Sequence, residues 1–199
     1  MIYPKALEEV IEYYKKLPGI GEKTAERLAL ASMDIDDDYT DKMLINLKKI
    51  KELKKCSICG HISEDDKCAI CSDEDRNQNL ICVIEDYKSV FAFEKAGNFK
   101  GVYHVLGGLI SPVDDITPDD ITLSSLVKRT ESLEQPELII ALKSTIEGET
   151  TTLYIKKIFE KKNVKISRLS YGIPIGADID YLDFMTLDRA LSDRKEISE

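Results

Sequence analysis

The chain of 199 residues is short of three things, and each shortage narrows what it can be. No apolar run approaches the roughly 18–20 residues that span a bilayer, so a soluble protein is expected. The opening, Met1-Ile2-Tyr3-Pro4-Lys5, has no charged region followed by an apolar one. No secretory signal is therefore expected, and the thiols should sit in a reducing cytoplasm. Positive charge is scarce as well: 28 Lys and Arg against 37 Asp and Glu leave a net charge of −9. A surface this acidic argues against nonspecific nucleic-acid binding by the molecule as a whole. Screening limits exposed charges to about 8–10 Å at physiological salt, however, so local patches decide. Lys42, Lys48, Lys49, Lys51, Lys54 and Lys55 face only Glu52 within residues 42–55, directly after the acidic Asp34, Asp36, Asp37, Asp38 and Asp41. A charge run of this kind is ordinarily a solvated helix face.

What the chain does have is a dense group of cysteines. Cys56-Ser57-Ile58-Cys59 and Cys68-Ala69-Ile70-Cys71 form two C-x2-C pairs with eight residues between them. This spacing places four thiolates at the corners of a tetrahedron, the geometry structural zinc prefers. Two disulfides are the competing reading, and a reducing compartment favours the metal. With all four ligands cysteine no coordination position stays open, so one structural zinc per chain is expected, with no catalytic role. Cys82, inside the apolar run Leu80–Ile84, reads as a buried core thiol.

Before the cysteines the periodicity is helical. Ala6, Leu7, Val10, Ile11, Tyr14 and Leu17 place a helix over 5–16. A second helix follows Leu17-Pro18-Gly19-Ile20-Gly21, with Ala25, Leu28 and Ala29 as its inner face. Gly19 and Gly21 allow a tight turn and the close approach of another chain. The first-turn amides of the second helix, with Lys23 and Arg27 beside them, suit a phosphate. No base-reading side chain is at hand, so such a contact would be independent of sequence. An ordinary αα-hairpin is the plainer alternative.

After the cysteines, strands at 80–84, 101–106, 137–142 and 164–169 alternate with helices at 87–96, from Thr117 to about Ser132, at 150–162 and at about 183–192. The expected fold is α/β, a mainly parallel sheet with flanking helices. Glu85, Glu147 and Glu149 fall near strand ends, where carboxylates can gather around Mg2+. Solvated loop acids are the simpler reading in a chain so acidic.

Leu17–Leu30 looks like a helix-hairpin-helix motif of DNA-repair proteins. With Cys56–Cys71, Ile81–Glu85, Tyr103–Pro112, Thr145–Glu149, Gly172–Gly176 and Thr186–Leu191 in the same order, the chain resembles the bacterial RecR family of recombination mediators nearly end to end. The resemblance implies a helix-hairpin-helix region over 1–54, a zinc finger over 55–76, a Toprim domain over 79–172 and a C-terminal segment, 173–199, that makes an oligomer contact. It also implies a non-enzymatic, cytoplasmic, nucleoid-associated protein, assembled as a homo-oligomer (a dimer or a tetrameric ring). Such a protein binds DNA and acts with RecO or RecF to load the RecA recombinase on single-stranded or gapped DNA. The resemblance maps DNA contact onto Gly19, Gly21, Lys23 and Arg27, and the Toprim acidic patch onto Glu85, Glu147 and Glu149. Ser89 stands where the family often has aspartate, Lys143 lies among the carboxylates, and the Asp-x-Asp of cleaving Toprim enzymes is missing. The alternative is a Toprim-type Mg2+-dependent nuclease or primase-like enzyme built on the same three glutamates.

Overall fold

A computed structural model describes residues 2–170 and 172–196 and divides the chain into two compact units, Met1–Leu53 and Lys54–Glu199. The last three residues of the expected oligomer segment, 197–199, lie outside the described residues.

The first unit is helical: α1 (Lys5–Lys15), α2 (Glu22–Ser32) and α3 (Asp37–Lys49). α1 and α2 close on a small core in which Ile11 meets Ala25 and Ala29. The two alanines let the helices come close. Leu28, expected on this inner face, is 38% exposed. The two alanines are the residues of α2 buried in the contact, and Leu28 lies at its edge. Tyr14 and Ser32 are joined by a 2.8 Å hydroxyl hydrogen bond across the pair. α3 is capped by Asp36, whose carboxylate accepts from the Tyr39 N–H, and it buries none of its residues.

The second unit begins with a two-stranded ribbon, β1 (Lys54–Lys55) and β2 (Ile62–Ser63), and the short helix α4 (Ala69–Ser72). The α/β layer follows: β3 (Asn77–Ile84), α5 (Tyr87–Ala96), β4 (Gly101–Val105), α6 (Leu123–Glu131), β5 (Glu137–Ala141), α7 (Ile146–Phe159) and β6 (Lys165–Arg168). A 3-10 turn at Ile179–Tyr181 leads to α8 (Phe184–Ser192). The sheet runs β4-β3-β5-β6, parallel throughout. Successive residues of β3 point to opposite faces. Ile81 and Val83 pack with Leu126 of α6 and Ile155 and Phe159 of α7, while Cys82 and Ile84 pack with Val90 of α5. Both faces are therefore covered, and the unbroken apolar run follows from that. Burial pushes the Cys82 thiol up to about 12, which leaves it protonated and inert.

Two expected helix starts move. The helix expected from Thr117 begins at Leu123, because Thr117 is used in a local turn: its N–H and hydroxyl both donate to the Asp120 carboxylate. Thr122, just before the observed start, is tied to the sheet instead, its N–H to Leu106 O and its hydroxyl to Val105 O. The helix expected from residue 150 begins at Ile146, with Thr145 Oγ1 accepting from the Gly148 N–H. Glu147 and Glu149 thus lie in its first turn.

His104 of β4 is buried between Thr122 and the core. Its Nε2 lies 3.1 Å from Thr122 O and 3.0 Å from Thr122 Oγ1, whose own proton goes to Val105 O. Nε2 therefore donates, and the ring is neutral. Burial drives its pKa down to about 4, with Arg129 adding to the shift. The unfolded chain, near 6.5, binds the extra proton between these values, so stability present above pH 6.5 is lost as pH falls toward 4. The loss should be about 3 kcal/mol. Urea titrations at pH 7 and pH 4.5 check this; the expected result is that His104→Gln, which keeps a donor to Thr122, flattens the difference.

Candidate nucleic-acid interface and metal centre

The turn between α1 and α2 is built by glycine. Gly19 has φ +79°, a conformation in which other residues are strained, and Gly21 caps α2 in an extended conformation with no side-chain cap. Chain neighbours aside, no atom of the described residues of this unit lies within 4 Å of a Cβ built at either glycine, so within its own unit the turn is open on its outer side. Ile20 closes it by donating to Leu17 O at 3.2 Å, and α2 starts with Ala25 N–H on Gly21 O at 2.9 Å. The first-turn amides of α2 and their dipole face that open side. Lys23 and Arg27, four residues apart, are exposed, and no ion pair engages either among the described residues. Lys15, by contrast, is paired with Glu12 at 2.7 Å. The four predicted DNA-contact residues thus share one surface: an uncapped helix start with two uncommitted cations.

The metal centre is equally local. The ligand atoms of Cys56, Cys59, Cys68 and Cys71 lie within 4.8 Å of one another, and no other group of three or more His, Cys, Asp or Glu meets that limit among the described residues. Cys59 and Cys68 sulfurs are 3.6 Å apart, too far for a disulfide. A tetrahedral zinc with bonds of about 2.3 Å needs sulfurs about 3.8 Å apart, so the spacing fits the ion. The backbone supports the same charge: His61 N–H points to Cys59 Sγ at 3.4 Å and Cys68 N–H to Cys56 Sγ at 3.3 Å. Hydrogen bonds from Cys59 and then Cys71 hold the Cys68 thiol far below its usual range. The neighbouring Cys59 thiol shifts the opposite way, upward, first through the same hydrogen bond to Cys68, so these two close sulfurs share one proton between them. Three of the four are buried and Cys71 is half-buried, so the site is closed and structural. Gly60, at φ +75°, turns the first knuckle with Val105 O against it. Val105 N–H donates to Cys59 O at 2.7 Å, which fastens the finger to the end of β4.

The three glutamates of the acidic edge are separately engaged. Glu85, just past β3, accepts from Lys143 Nζ at 2.9 Å. Glu149 pairs with Arg189 of α8 at 2.8 Å and with Arg168 of β6 at 3.7 Å, and Arg168 also reaches Asp193 at 3.4 Å. Glu147 is held as a carboxylate, first by the Thr145 hydroxyl and then by its own backbone amide. Lys143 is legible in the sequence as a cation among acids. Arg168 and Arg189 are not, because nothing local links residues 149 and 189.

A parallel α/β domain that carries a four-cysteine finger, joined in one chain to a helix-hairpin-helix, defines a Toprim protein with two accessory modules. Family models match in that order: RecR helix-hairpin-helix over residues 7–49, the RecR zinc finger domain of four-cysteine type over 53–73, Toprim domain over 79–170 and RecR C-terminal over 172–195. Proteins named recombination protein RecR are similar along the whole length: from Staphylococcus aureus strain JH9 at 45% identity and from strain Newman at 44%, each over 200 residues that cover 99% of this chain and all of the relative. The chain belongs to the RecR family.

Proposed function

We propose that this protein is a DNA-repair and recombination mediator that holds DNA through the Gly19–Gly21 turn with Lys23 and Arg27, and acts with RecO or RecF to load RecA on single-stranded or gapped DNA without turning over a substrate. The observation that carries the reading is the open, uncapped start of α2 with two cations beside it and no apolar cover. On a chain of net charge −9, such a patch grips the phosphate backbone weakly and only at close range. Assembly multiplies weak contacts through effective concentration. Two exposed apolar surfaces support a homo-oligomer: α3, with Leu44, Ile45 and Ile50, and the C-terminal segment, with Ile175, Tyr181 and Phe184. No helix among the described residues is long and apolar enough to cross a membrane, and the reading places the protein in the cytoplasm, on the nucleoid. A Mg2+-dependent nuclease draws no support from the acidic edge, where Lys143 and Arg189 engage two of the three carboxylates.

The test is the salt dependence of binding to labelled single-stranded DNA. Log affinity should fall linearly with log salt, and Lys23→Ala/Arg27→Ala should lower that slope by about 1.4. An unchanged slope in the double variant would place the contact elsewhere. Adding Mg2+ to the same DNA should give no cleavage, and cleavage that Glu85→Ala abolishes would favour the nuclease. Mass in solution by light scattering, with and without DNA and RecO, tests assembly and partner binding together.

A further inference from the structure

Among the described residues β6 ends the sheet and pairs on one side only, with β5. Lys165 and Leu169 donate their N–H groups inward, to Pro136 O at 2.9 Å and Ile140 O at 3.1 Å. With the two-residue repeat of a strand, the backbone groups of Ile166 and Arg168 then face away from the sheet. The second half of α7 runs beside this edge. Between them lies a groove of about 540 Å3 lined by Leu153, Lys156, Lys157, Glu160, Val164 and Ile166. Leu153 in this lining is 64% exposed, Val164 and Ile166 are half-buried against the core, and Ile155 and Phe159 on the inner side of the same helix are buried.

The charge around the groove runs against that of the whole molecule. Residues 156–168 carry Lys156, Lys157, Lys161, Lys162, Lys165 and Arg168 against Glu160 alone. Lys162 pairs with Glu131 and Lys165 with Glu137. No ion pair engages Lys156 or Lys157, the two lysines of the groove, among the described residues.

We propose that this groove docks an acidic peptide of a partner protein as an added strand alongside β6, with its acidic and apolar residues sharing the face turned to α7. Three features converge on that occupant. The open strand edge offers main-chain hydrogen bonds to an extended peptide. On the face that the added strand turns to α7, Leu153, Val164 and Ile166 meet its apolar side chains, and Lys156 and Lys157 meet its acids. Lysines that merely protect an edge point across it and leave nothing apolar to bind; here the side next to the edge is an accessible apolar trough. Single-stranded nucleic acid, the other polyanion, binds grooves that stack its bases on aromatic rings, and this lining has none.

The experiment uses the full chain and a fluorescein-labelled eight-residue peptide in which valine and aspartate take turns at every second position with serine between them, so that both fall on one face of a strand, followed by anisotropy. Saturable binding is expected, and Lys156→Glu/Lys157→Glu should weaken it about tenfold. Leu153→Ser should weaken it by a similar factor with no change in melting temperature, since that side chain is largely in solvent. A peptide with serine for every valine should bind roughly tenfold less tightly. Equal binding of the serine peptide or of oligothymidylate would overturn the proposal in favour of a simple polyanion site. Absence of saturable binding, with a dimer in light scattering that Leu153→Ser dissociates, would overturn it in favour of a second copy of this chain.

Discussion

Removing the zinc should cost the second unit most of its stability. Structural zinc contributes about 10–16 kcal/mol in finger peptides, and a whole domain is stable by only about 5–15 kcal/mol. The finger cannot replace that energy from its own core, which consists of the cysteines themselves with Ile58 and Ile70 against them. Ile70 also packs against the apolar clusters on both faces of the sheet, so disorder in the finger reaches the α/β layer directly. The second route is the Val105 N–H bond to Cys59 O, which ends β4. Cys59→Ser should therefore abolish the one-per-chain zinc content and lower the melting temperature by tens of degrees. Cys82→Ala, at a buried thiol outside the cluster, should keep the zinc and lose only the modest energy of a small core change. A zinc-free protein that melts like the holoprotein, with unchanged amide exchange at Val105, would show the cysteines to be incidental.

The parts of this molecule that could be read from the sequence are those whose geometry is fixed by near neighbours. The two cysteine pairs announce a tetrahedron because each knuckle is closed within four residues. The hairpin is legible because Gly19 must adopt a positive φ and α2 must start uncapped right after Gly21. Helix starts failed where a threonine had two possible uses. Thr117-Pro118-Asp119-Asp120 has the chemistry of a helix cap, but the Asp120 carboxylate satisfies Thr117 within its own turn, and tertiary bonds from Thr122 to Val105 and Leu106 set the real start. In α7 the run Thr150-Thr151-Thr152 falls inside the expected helix although β-branched residues favour strands, and the part left out is the first turn, which contains Gly148. Each hydroxyl there bonds the carbonyl four residues back, at 2.7 Å, which keeps the run helical. The ionic contacts of the acidic edge lie further still from sequence reasoning. Glu149 and Arg189 are 40 residues apart and meet only because the chain folds the C-terminal helix past α7.

Gly148→Val should be the most damaging single substitution at the carboxyl edge of the sheet. A Cβ on Gly148 would stand 1.9 Å from Lys143 O and 3.0 Å from Lys143 C, and both are backbone atoms. No side-chain rotation relieves such an overlap, so either the 143–145 turn or the first turn of α7 must move. Both choices break something named. Moving the turn pulls Lys143 from Glu85, whose second carboxylate oxygen is already buried without a hydrogen-bond partner among the described residues. Moving the helix start breaks the Thr145 cap on Gly148 N–H and carries Thr151 away from the Ile110 N–H, to which its hydroxyl is bonded at 2.9 Å inside the core. Overpacking alone costs about 1–3 kcal/mol, and an orphaned buried amide about 1–3 more. A loss of about 4 kcal/mol is expected, a drop of roughly 8–16 °C for a chain of this size. Gly172→Ala, where no atom of the described residues beyond its chain neighbours lies within 4 Å of an added Cβ, should melt like the parent. Thermal unfolding of the two variants side by side decides the matter, and a Gly148→Val protein as stable as Gly172→Ala would mean that the turn carrying Lys143 yields freely.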